Sequence, residues 1–554
     1  MPRASSSVAQ SSTSTLQETT SKPINNQLDS TLAANSPWIK HVDLSDDVDE
    51  AIVRAEGEER TTAFVWFLVA AAATGGILFG YDTGVIGGAL VHRDITADLS
   101  RNPLTSSQKE ILTSATTLGA LFGGFGAGII ADAFGRKIVI ALADIIFIVG
   151  AVLQAVAFGG NAYWIVAVGR LILGLAVGLA ALIVPLYIGE LAPTVIRGRL
   201  VTLNVVAITF GQVLAYILNI AFQNVPHGWR YMVGLGAAPP IFQLCLMHLL
   251  PETPRYLLSR ERTRDAEAIL RKIYPFATDE QISLKAQVIG SSVKRANDGN
   301  FVQTWKRLHF DPANLRGLII ACGLQGIQQL CGFNTLMYYA PTLFKSVGFE
   351  NSLVIGLVIS ITNFVFTLVA LVIIDKAGRR RIACSTIPGM SAALILAAVA
   401  FHFLTLNTDG VLPENGAGLD KTFAPVVLTA MLLYVACYAT GIGNIPWQQG
   451  ELFEMSVRGM GTSISTSCNW GGNLIIGSTF LSLIDRITAA GAFGLYAGLC
   501  ALGSIFCWFL YPETAGLSLE ETREVFSTSF GIKKANRLRK EKERALKMLR
   551  QDQS

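Results

Sequence analysis

Residues 128–137 read GIIADAFGRK, and residues 374–380 repeat the pattern as IDKAGRR. Two shorter motifs also occur twice in the same order: GEL at 189–191 and 450–452, and PET at 251–253 and 512–514. Asp375 follows Asp132 by 243 residues, whereas the two later motifs recur after 261, so the second copy carries 18 additional residues. A long apolar unit present in two parallel copies predicts a membrane protein with a site between its halves.

The composition of the chain supports a membrane location. Hydrophobic residues make up 51% of the 554 residues, charged residues only 15%, and the mean hydropathy is +0.45. Twelve apolar stretches are each long enough to cross a hydrocarbon core of about 30 Å as a helix. The expected fold is therefore an all-α membrane protein with twelve transmembrane helices in two six-helix pseudo-repeats.

The same pattern divides the chain into five segments. Residues 5–36 are rich in Ser, Thr, Gln and Asn and residues 43–59 are acidic, which predicts a disordered cytoplasmic tail at 1–61 because such a segment buries too little apolar surface to fold. The other predicted segments are an N-terminal six-helix half at 62–250, a cytoplasmic helical linker at 251–313, a C-terminal six-helix half at 314–511 and a basic tail at 512–554. Lys and Arg gather on one face of the predicted bundle, which predicts that both termini are cytoplasmic.

Motifs of other protein classes are missing from the sequence. The glycine-rich runs lack the GKS/T ending of a nucleotide-phosphate loop, and the six histidines show no metal-ligand spacing. The eight cysteines include no CxxC pair and fit packing positions in apolar stretches. We therefore expect no enzyme activity, no metal, no cofactor and no nucleic-acid partner.

Two ionisable residues fall inside predicted membrane helices. Asp82 lies in the first helix and Arg170 in the fourth. Charged groups inside a bilayer are costly and therefore mark candidate functional sites. A carboxylate beside an arginine stays ionised, and one moved away from it tends to bind a proton, so the pair could couple proton binding to helix movement. A static ion pair that holds two helices together explains the same residues equally well.

The seventh predicted helix carries a run of amide side chains. Gln325, Gln328 and Gln329 share one helical face. Asn334 joins them only if the helix breaks near Gly332. Amides both donate and accept hydrogen bonds, which suits a neutral polyhydroxylated solute better than an ion. Amide pairing between helices is the alternative role.

Other predicted helices contribute residues of the same kind. Gln212 lies in the fifth helix, and Asn469 and Asn473 lie four residues apart on one face of the eleventh. Trp447 follows Pro446 in the tenth helix, where proline and nearby glycines weaken the helix. An indole ring can stack on the apolar face of a cyclic polyol, although a tryptophan near a membrane interface is otherwise an ordinary anchor.

Together these motifs resemble those of sugar porters of the major facilitator superfamily, over nearly all of residues 62–521. Besides the duplicated motif, the resemblance is carried by GYDTGVIGGAL (80–90), GRLILGLAVG (169–178), PLYIGELAPTVIRG (185–198), PETPRYL (251–257), QQLCGFNTLMYYAP (328–341) and PETAGLSLEE (512–521). Within that family, GIGNIPWQQGELF (441–453) and NWGGNLIIGSTF (469–480) are most similar to fungal myo-inositol transporters.

The resemblance implies a carrier that alternates between outward-open and inward-open states around a midplane site. The site residues that it implies are Gln212, Gln328, Gln329, Asn334, Trp447, Asn469 and Asn473. Tyr338 and Tyr339 occupy outer-gate positions, and Asp82 with Arg170 occupies the position of proton coupling. Gly236 stands where some bacterial proton-coupled relatives carry an acidic residue, so no mechanism that needs that second carboxylate is carried over.

Charged residues at helix ends on the predicted cytoplasmic side form a repeated set. Its members are Asp132, Arg136, Glu190 and Arg197 in the first half and Asp375, Arg379, Glu451 and Arg458 in the second. Pairs that form in one conformation and break in the other would shift a two-state equilibrium, so these residues are expected to affect rate more than solute choice. Topology and helix capping are the alternative roles.

The sequence therefore predicts proton-coupled import of myo-inositol by alternating access. The expected location is the plasma membrane, the expected partners are a small polyol or sugar and the lipid bilayer, and the expected functional unit is a monomer with protons as coupling ion. A hexose/proton symporter or a facilitative hexose carrier is the alternative. A transporter-like nutrient sensor shares the fold, but the short tail after Glu521 argues against it.

Overall fold

A computed structural model gives the fold of the chain. The structure describes residues 62–540 apart from 101, 194–195, 298–300, 414–415, 455, 516, 518 and 528, and it leaves out the side chains of 295–297, 375–376 and 519–520. The predicted tail at 1–61 and the end of the basic tail at 541–554 lie outside the described residues.

The described residues form helices and no strands. The first half contains α1 Ala63–Val91, α2 Ile95–Leu99, α3 Ser106–Phe134, α4 Arg136–Ala155, α5 Ala162–Leu191, α6 Arg197–Phe222, α7 Gly228–Gly234 and α8 Ala238–Leu246. The linker forms α9 Pro254–Ser259, α10 Thr263–Ile273, α11 Asp279–Asn297 and α12 Phe301–Phe310. The second half contains α13 Pro312–Leu330, α14 Phe333–Val347, α15 Ser352–Ala377, α16 Arg379–Leu404, α17 Ala424–Thr440, α18 Arg458–Gly477 and α19 Phe480–Leu510, followed by α20 Leu519–Phe526.

Nine helical segments of the described chain are long and apolar enough to cross a membrane by themselves. The other three predicted crossings have identifiable reasons for falling short. The sixth is divided into α7 and α8 by a 3-10 turn at Leu235–Ala237, and the seventh is divided into α13 and α14. The eleventh, α18, is rich in Gly, Ser, Thr and Asn, which makes it less apolar than the others. Each predicted crossing therefore corresponds to a helix or a broken helix, and the all-α prediction is confirmed.

The duplicated motif forms the same turn in both halves. Gly135 separates α3 from α4 with a φ of 94°, and Gly378 separates α15 from α16 with a φ of 91°. Residues other than glycine adopt such positive φ values only with strain. A side chain at either glycine would also collide with a carboxylate, that of Glu252 in the first half and that of Glu513 in the second. Backbone geometry and space therefore both require glycine at this point of the repeat.

The outer surface and the centre of the bundle have opposite character. Large apolar side chains such as Phe122, Phe125 and Ile129 on α3 are 62%, 66% and 71% exposed, as expected for residues that face lipid. The two halves meet through α3 against α18, α6 against α15 and α1 against α14. Polar side chains of these inner helices are buried, including Asp82, Gln212 and Asn469. The candidate site therefore lies where the halves face each other.

Candidate functional site

Amide side chains from α13, α14 and α18 meet in the interior of the second half. Asn469 Nδ2 donates to Gln325 Oε1 at 2.6 Å and to Gln328 Oε1 at 2.7 Å. Asn469 Oδ1 accepts from Gln329 Nε2 at 3.0 Å. Asn334 Nδ2 donates to Gln329 Oε1 at 2.7 Å. These five residues, which we call the amide cluster, are all buried and form one connected network.

A break in the seventh crossing brings Asn334 into the amide cluster. Gly332 lies between α13 and α14 with a φ of 87°, in the left-handed region. A Cβ there would lie 3.0 Å from the ring of Tyr496, so a larger residue would also crowd that ring. The chain changes direction at this point, and Asn334 then bonds to Gln329 of the preceding helix. The predicted break near Gly332 is therefore confirmed.

The tenth crossing presents backbone acceptors to the amide cluster. Helix α17 ends at Thr440, and a 3-10 segment follows at Ile445–Leu452. The freed carbonyl of Gly443 accepts from Gln328 Nε2 at 2.9 Å, and that of Pro446 accepts from Gln325 Nε2 at 3.2 Å. Broken helices near the membrane midplane offer backbone groups that a continuous helix would keep internal. The glycines and proline of this segment thus extend the polar surface of the site.

Asn473 lies one turn beyond the amide cluster on α18 and is fully buried. Its Oδ1 accepts a hydrogen bond from the hydroxyl of Tyr338 at 3.1 Å. Its Nδ2 has no partner among the described residues. A buried donor without a partner is costly, so this group is suited to an oxygen atom of a solute.

One amide pair joins the two halves directly. Gln212 of α6 accepts at Oε1 from Asn363 Nδ2 of α15 at 2.8 Å, and both side chains are buried. Sequence reasoning found Gln212 but missed Asn363. The sequence does offer a signal for Asn363, because it is the one amide in the apolar stretch of α15. A polar side chain inside a membrane crossing usually has a hydrogen-bond partner on another helix.

The two central tryptophans have different environments. Trp447 directly follows Pro446, whose carbonyl bonds to Gln325, and it is half-buried. Trp470 neighbours Asn469 on α18 and is 2% exposed. Its ring lies 5.4 Å from that of Phe79 on α1, so it packs across the boundary between the halves. Trp470 of the second half therefore packs against Phe79 of the first half.

Asp82 and Arg170 form a buried ion pair in the first half. Arg170 donates from both terminal nitrogens to the carboxylate of Asp82, at 3.2 Å and 3.4 Å. Arg170 Nε donates to the carbonyl of Leu112 at 2.5 Å, which fixes the guanidinium plane against α3. Asp82 is 5% exposed and Arg170 is 1% exposed. The predicted partners are therefore in contact, with a geometry that links α1, α5 and α3.

The two predicted gate tyrosines lie on α14 and are buried. Tyr338 bonds to Asn473, and the hydroxyl of Tyr339 donates to the carbonyl of Gly477 at 2.8 Å. Beside them, the hydroxyl of Tyr216 on α6 donates to the carbonyl of Met337 at 2.7 Å. This last bond joins the halves at the end of the bundle opposite the duplicated motif.

At the duplicated motif of the first half, Arg136 holds two acidic partners. Its guanidinium lies 3.1 Å from Glu190 and 3.1 Å from Asp132. Glu252 accepts the backbone N–H groups of Arg136 and Lys137 at the start of α4. Burial raises the pKa of Glu252, and these N–H donors oppose that rise. These contacts lie within the first half and the first residues of the linker.

The second half repeats most of this arrangement. Arg379 pairs with Glu451, and the carboxylate of Glu513 accepts the backbone N–H groups of Arg379 at 2.9 Å and Arg380 at 3.2 Å. Arg197 and Arg458 are the first residues of α6 and α18 and are half-buried at the same end. The side chain of Asp375 lies outside the described residues.

Two six-helix repeats around a buried polar centre define a membrane carrier. The sequence pattern of the family described as "Sugar (and other) transporter" matches residues 68–526. The chain therefore belongs to this sugar transporter family, and it is a transporter and not an enzyme. The resemblance to sugar porters of the major facilitator superfamily is confirmed.

Several relatives cover most of the chain. Myo-inositol transporter 1 of Cryptococcus neoformans var. grubii is 53% identical over 511 residues, which are 92% of this chain and 89% of the relative. Myo-inositol transporter 1 of Candida albicans is 44% identical over 496 residues, or 88% of each chain. The solved structure of the proton:xylose symporter XylE bound to 6-bromo-6-deoxy-D-glucose is 28% identical, with a TM-score of 0.71 over 84% of this chain and 100% of that one. The twelve-helix fold is thereby confirmed.

Proposed function

We propose that this transporter imports myo-inositol together with protons, by alternating access across the plasma membrane. Relatives that are 44% and 53% identical are named myo-inositol transporters, and a structural neighbour is described as a proton symporter. The observation that carries the proposal is the combination of two buried polar centres. One is the amide cluster in the second half, and the other is the pair of Asp82 and Arg170 in the first.

The amide cluster suits a neutral ring with a hydroxyl group on every carbon. Its amides bond to one another, and a hydroxyl can replace either side of such a bond because it both donates and accepts. Solute binding then leaves no buried amide without a partner, which limits the cost of opening the network. The proposed solute contacts are Gln212, Gln328, Gln329, Asn334, Trp447, Asn469 and Asn473, with Gln325 and Asn363 added by their contacts in the structure.

The ion pair suits a proton carrier because its two members lie on different helices. The two hydrogen bonds from Arg170 stabilise the ionised form of Asp82 against the cost of its burial. A movement of α1 relative to α5 that lengthens these bonds would leave the carboxylate in apolar surroundings, where it binds a proton. Proton binding and helix position are therefore linked, and a proton gradient would bias the direction of the cycle.

Alternating access requires two bodies and a gate at each end. We propose that the halves at 62–250 and 314–511 move against each other, joined by the linker at 251–313. The basic end, with Arg136 and Arg379, would face the cytoplasm together with both termini, since Lys and Arg favour that side. Tyr338 and Tyr339 would belong to the outer gate, while the charged residues of the basic end would belong to the inner gate. All these groups lie in one chain, which favours a functional monomer.

The test is uptake of labelled myo-inositol by the purified protein in liposomes. Uptake is measured with and without an inward proton gradient, with glucose as competitor and a proton carrier that collapses the gradient as control. We expect accumulation above equilibrium that disappears with the gradient and resists excess glucose. Uptake that prefers glucose would indicate a hexose/proton symporter, and uptake that ignores the gradient would indicate a facilitative carrier. Either result would contradict the proposal.

A further inference from the structure

Glu110 joins the two halves through a contact that the sequence did not suggest. It lies in the second turn of α3 and is 4% exposed. The backbone N–H of Ser482 donates to Glu110 Oε1 at 2.8 Å, and the hydroxyl of Ser482 donates to Oε2 at 2.6 Å. Both carboxylate oxygens are thus used by a single residue of α19. One carboxylate of the first half therefore binds the first turn of α19, ahead of the kink at Thr488.

The contact lies at the end of the bundle opposite the duplicated motif. Helix α3 begins near Glu110 and ends at Phe134, within that motif. Ser482 lies near the start of α19, which is kinked at Thr488 and ends at Leu510, just before Glu513. The bond from Tyr216 to the carbonyl of Met337 also joins the halves at this end. In the proposed orientation this is the outer side of the membrane, and these contacts close it.

Helix α19 takes its cap from the other half of the protein. Its N-cap residue Thr479 makes no side-chain capping bond, and the N–H of Ser482 is one of the first-turn donors that lack a partner within the helix. A carboxylate at this position receives charge-assisted hydrogen bonds and interacts favourably with the positive end of the helix dipole. When the halves separate on the outer side, Glu110 and Ser482 must part. The interaction therefore stabilises only the outward-closed states.

We propose that Glu110 is a gating residue that sets the balance between outward-closed and outward-open states through its bonds to Ser482. This inference rests on the proposed alternating access but not on the identity of the solute or on proton coupling. A contact made in only one of two states shifts their equilibrium by its own free energy. Weakening the contact must therefore open the outer side and, at the same time, close the basic end.

The experiment is hydrogen–deuterium exchange of the full-length protein in lipid nanodiscs without solute. In Glu110→Ala we expect exchange of the segment at 480–486 to rise by about tenfold, because both bonds to a charged group are lost. We expect exchange at 445–454, which reaches the basic end at Glu451, to fall in the same sample. Ser482→Ala keeps the backbone bond and should shift both segments in the same directions by a smaller factor. The double variant should match Glu110→Ala alone.

Ser478→Ala is the matched control. Its hydroxyl bonds only to carbonyls of its own helix, at Leu474 and Ile475, so this variant should leave both segments unchanged. Faster exchange at 480–486 with no change at 445–454 would reduce Glu110 to a local helix cap and overturn the proposal. If Glu110→Ala does not fold, Ser482→Ala tests the proposal by itself. We expect its exchange to rise at 480–486 and to fall at 445–454. Because no solute is added, a failure of the myo-inositol assignment would not affect this outcome.

Discussion

The first crossing of each half carries the same short pattern, and the two halves use it differently. Residues 80–83 read GYDT within α1, and residues 332–335 read GFNT where α14 begins. Asp82 binds Arg170, whereas its counterpart Asn334 binds Gln329. The residue 261 positions after Arg170 is Met431, which is buried and apolar. The second half therefore lacks both charges of the pair and offers neutral amides instead.

The backbone differs between the halves as well. Gly80 is helical, and it is required because α6 packs so closely that a Cβ would collide with the carbonyl of Ile208. Gly332 instead adopts a positive φ and breaks the crossing. The continuous helix α1 presents the side chain of Asp82 to Arg170. The break between α13 and α14 instead brings side chains of both helices together in the amide cluster. Under the proposed function, the first half would hold the charged pair and the second half would supply most of the solute contacts.

Asp82→Asn gives the first half the residue of the second, and we expect the largest effect from it. Removal of the only titratable carboxyl of the pair should abolish accumulation driven by a proton gradient while exchange of solute across the membrane continues. Labelled myo-inositol uptake and counterflow in liposomes measure the two activities, with thermal unfolding as a control for folding. Accumulation that still depends on the gradient would assign Asp82 and Arg170 to a static ion pair.

Gln328→Ala tests whether the solute binds in the second half. The change removes a donor to the Gly443 carbonyl and an acceptor for Asn469, so solute binding should weaken by about 1 to 3 kcal/mol. Titration calorimetry of the purified protein measures the affinity. The matched control is Gln303→Ala in the exposed part of the linker helix α12, which should bind normally. Unchanged affinity in Gln328→Ala would move the site out of the amide cluster.

Gly332→Ala tests whether the second half depends on its break. A positive φ costs an alanine about 1 to 2 kcal/mol of stability, and the ring of Tyr496 leaves little space for the added methyl group. Gly159→Ala is the control, because Gly159 has a φ of 85° with nothing near its Cβ position. We expect a larger fall in unfolding temperature and weaker solute binding for Gly332→Ala. Equal falls in unfolding temperature and unchanged solute binding in both variants would show that the position of Gly332 matters only through backbone strain.

Arg136→Glu concerns the feature that the halves share, and we expect its effect to be the smallest. Its contact to Asp132 is open to solvent, whereas the side chains in its contact to Glu190 are only 9% and 7% exposed. Charge reversal leaves Glu190 without its partner but does not touch the solute contacts, so we expect transport to slow by roughly tenfold. Initial uptake rates of myo-inositol and glucose measure both speed and preference. A changed preference would contradict a purely conformational role for this end of the bundle.

The sequence predicted those features that leave a periodic or repeated signal. The shared face of Gln325, Gln328 and Gln329 follows from helical spacing, and the break at Gly332 follows from the position of Asn334. The pairing of Asp82 with Arg170 followed from the cost of charges in a membrane, and the structure brings the two together.

Contacts between the halves were largely missed, and the reason is physical. Asn363, Tyr216 and Glu110 each find their partner in the other half, more than a hundred positions away in the chain. No local spacing encodes such a contact, since it depends on how two separately folded repeats dock. Glu110 in particular stands near the start of α3, where an acidic residue reads as an ordinary helix-end residue.

The division of work between the halves is tested most directly by proton uptake that accompanies solute entry. The native protein, Asp82→Asn or Gln328→Ala is reconstituted into the membrane of liposomes that enclose a pH-sensitive dye. Saturating myo-inositol is then added outside. We predict internal acidification with the native protein and with Gln328→Ala, because saturation offsets the weaker binding, and none with Asp82→Asn. Acidification with Asp82→Asn, or its loss in Gln328→Ala at saturation, would contradict the account.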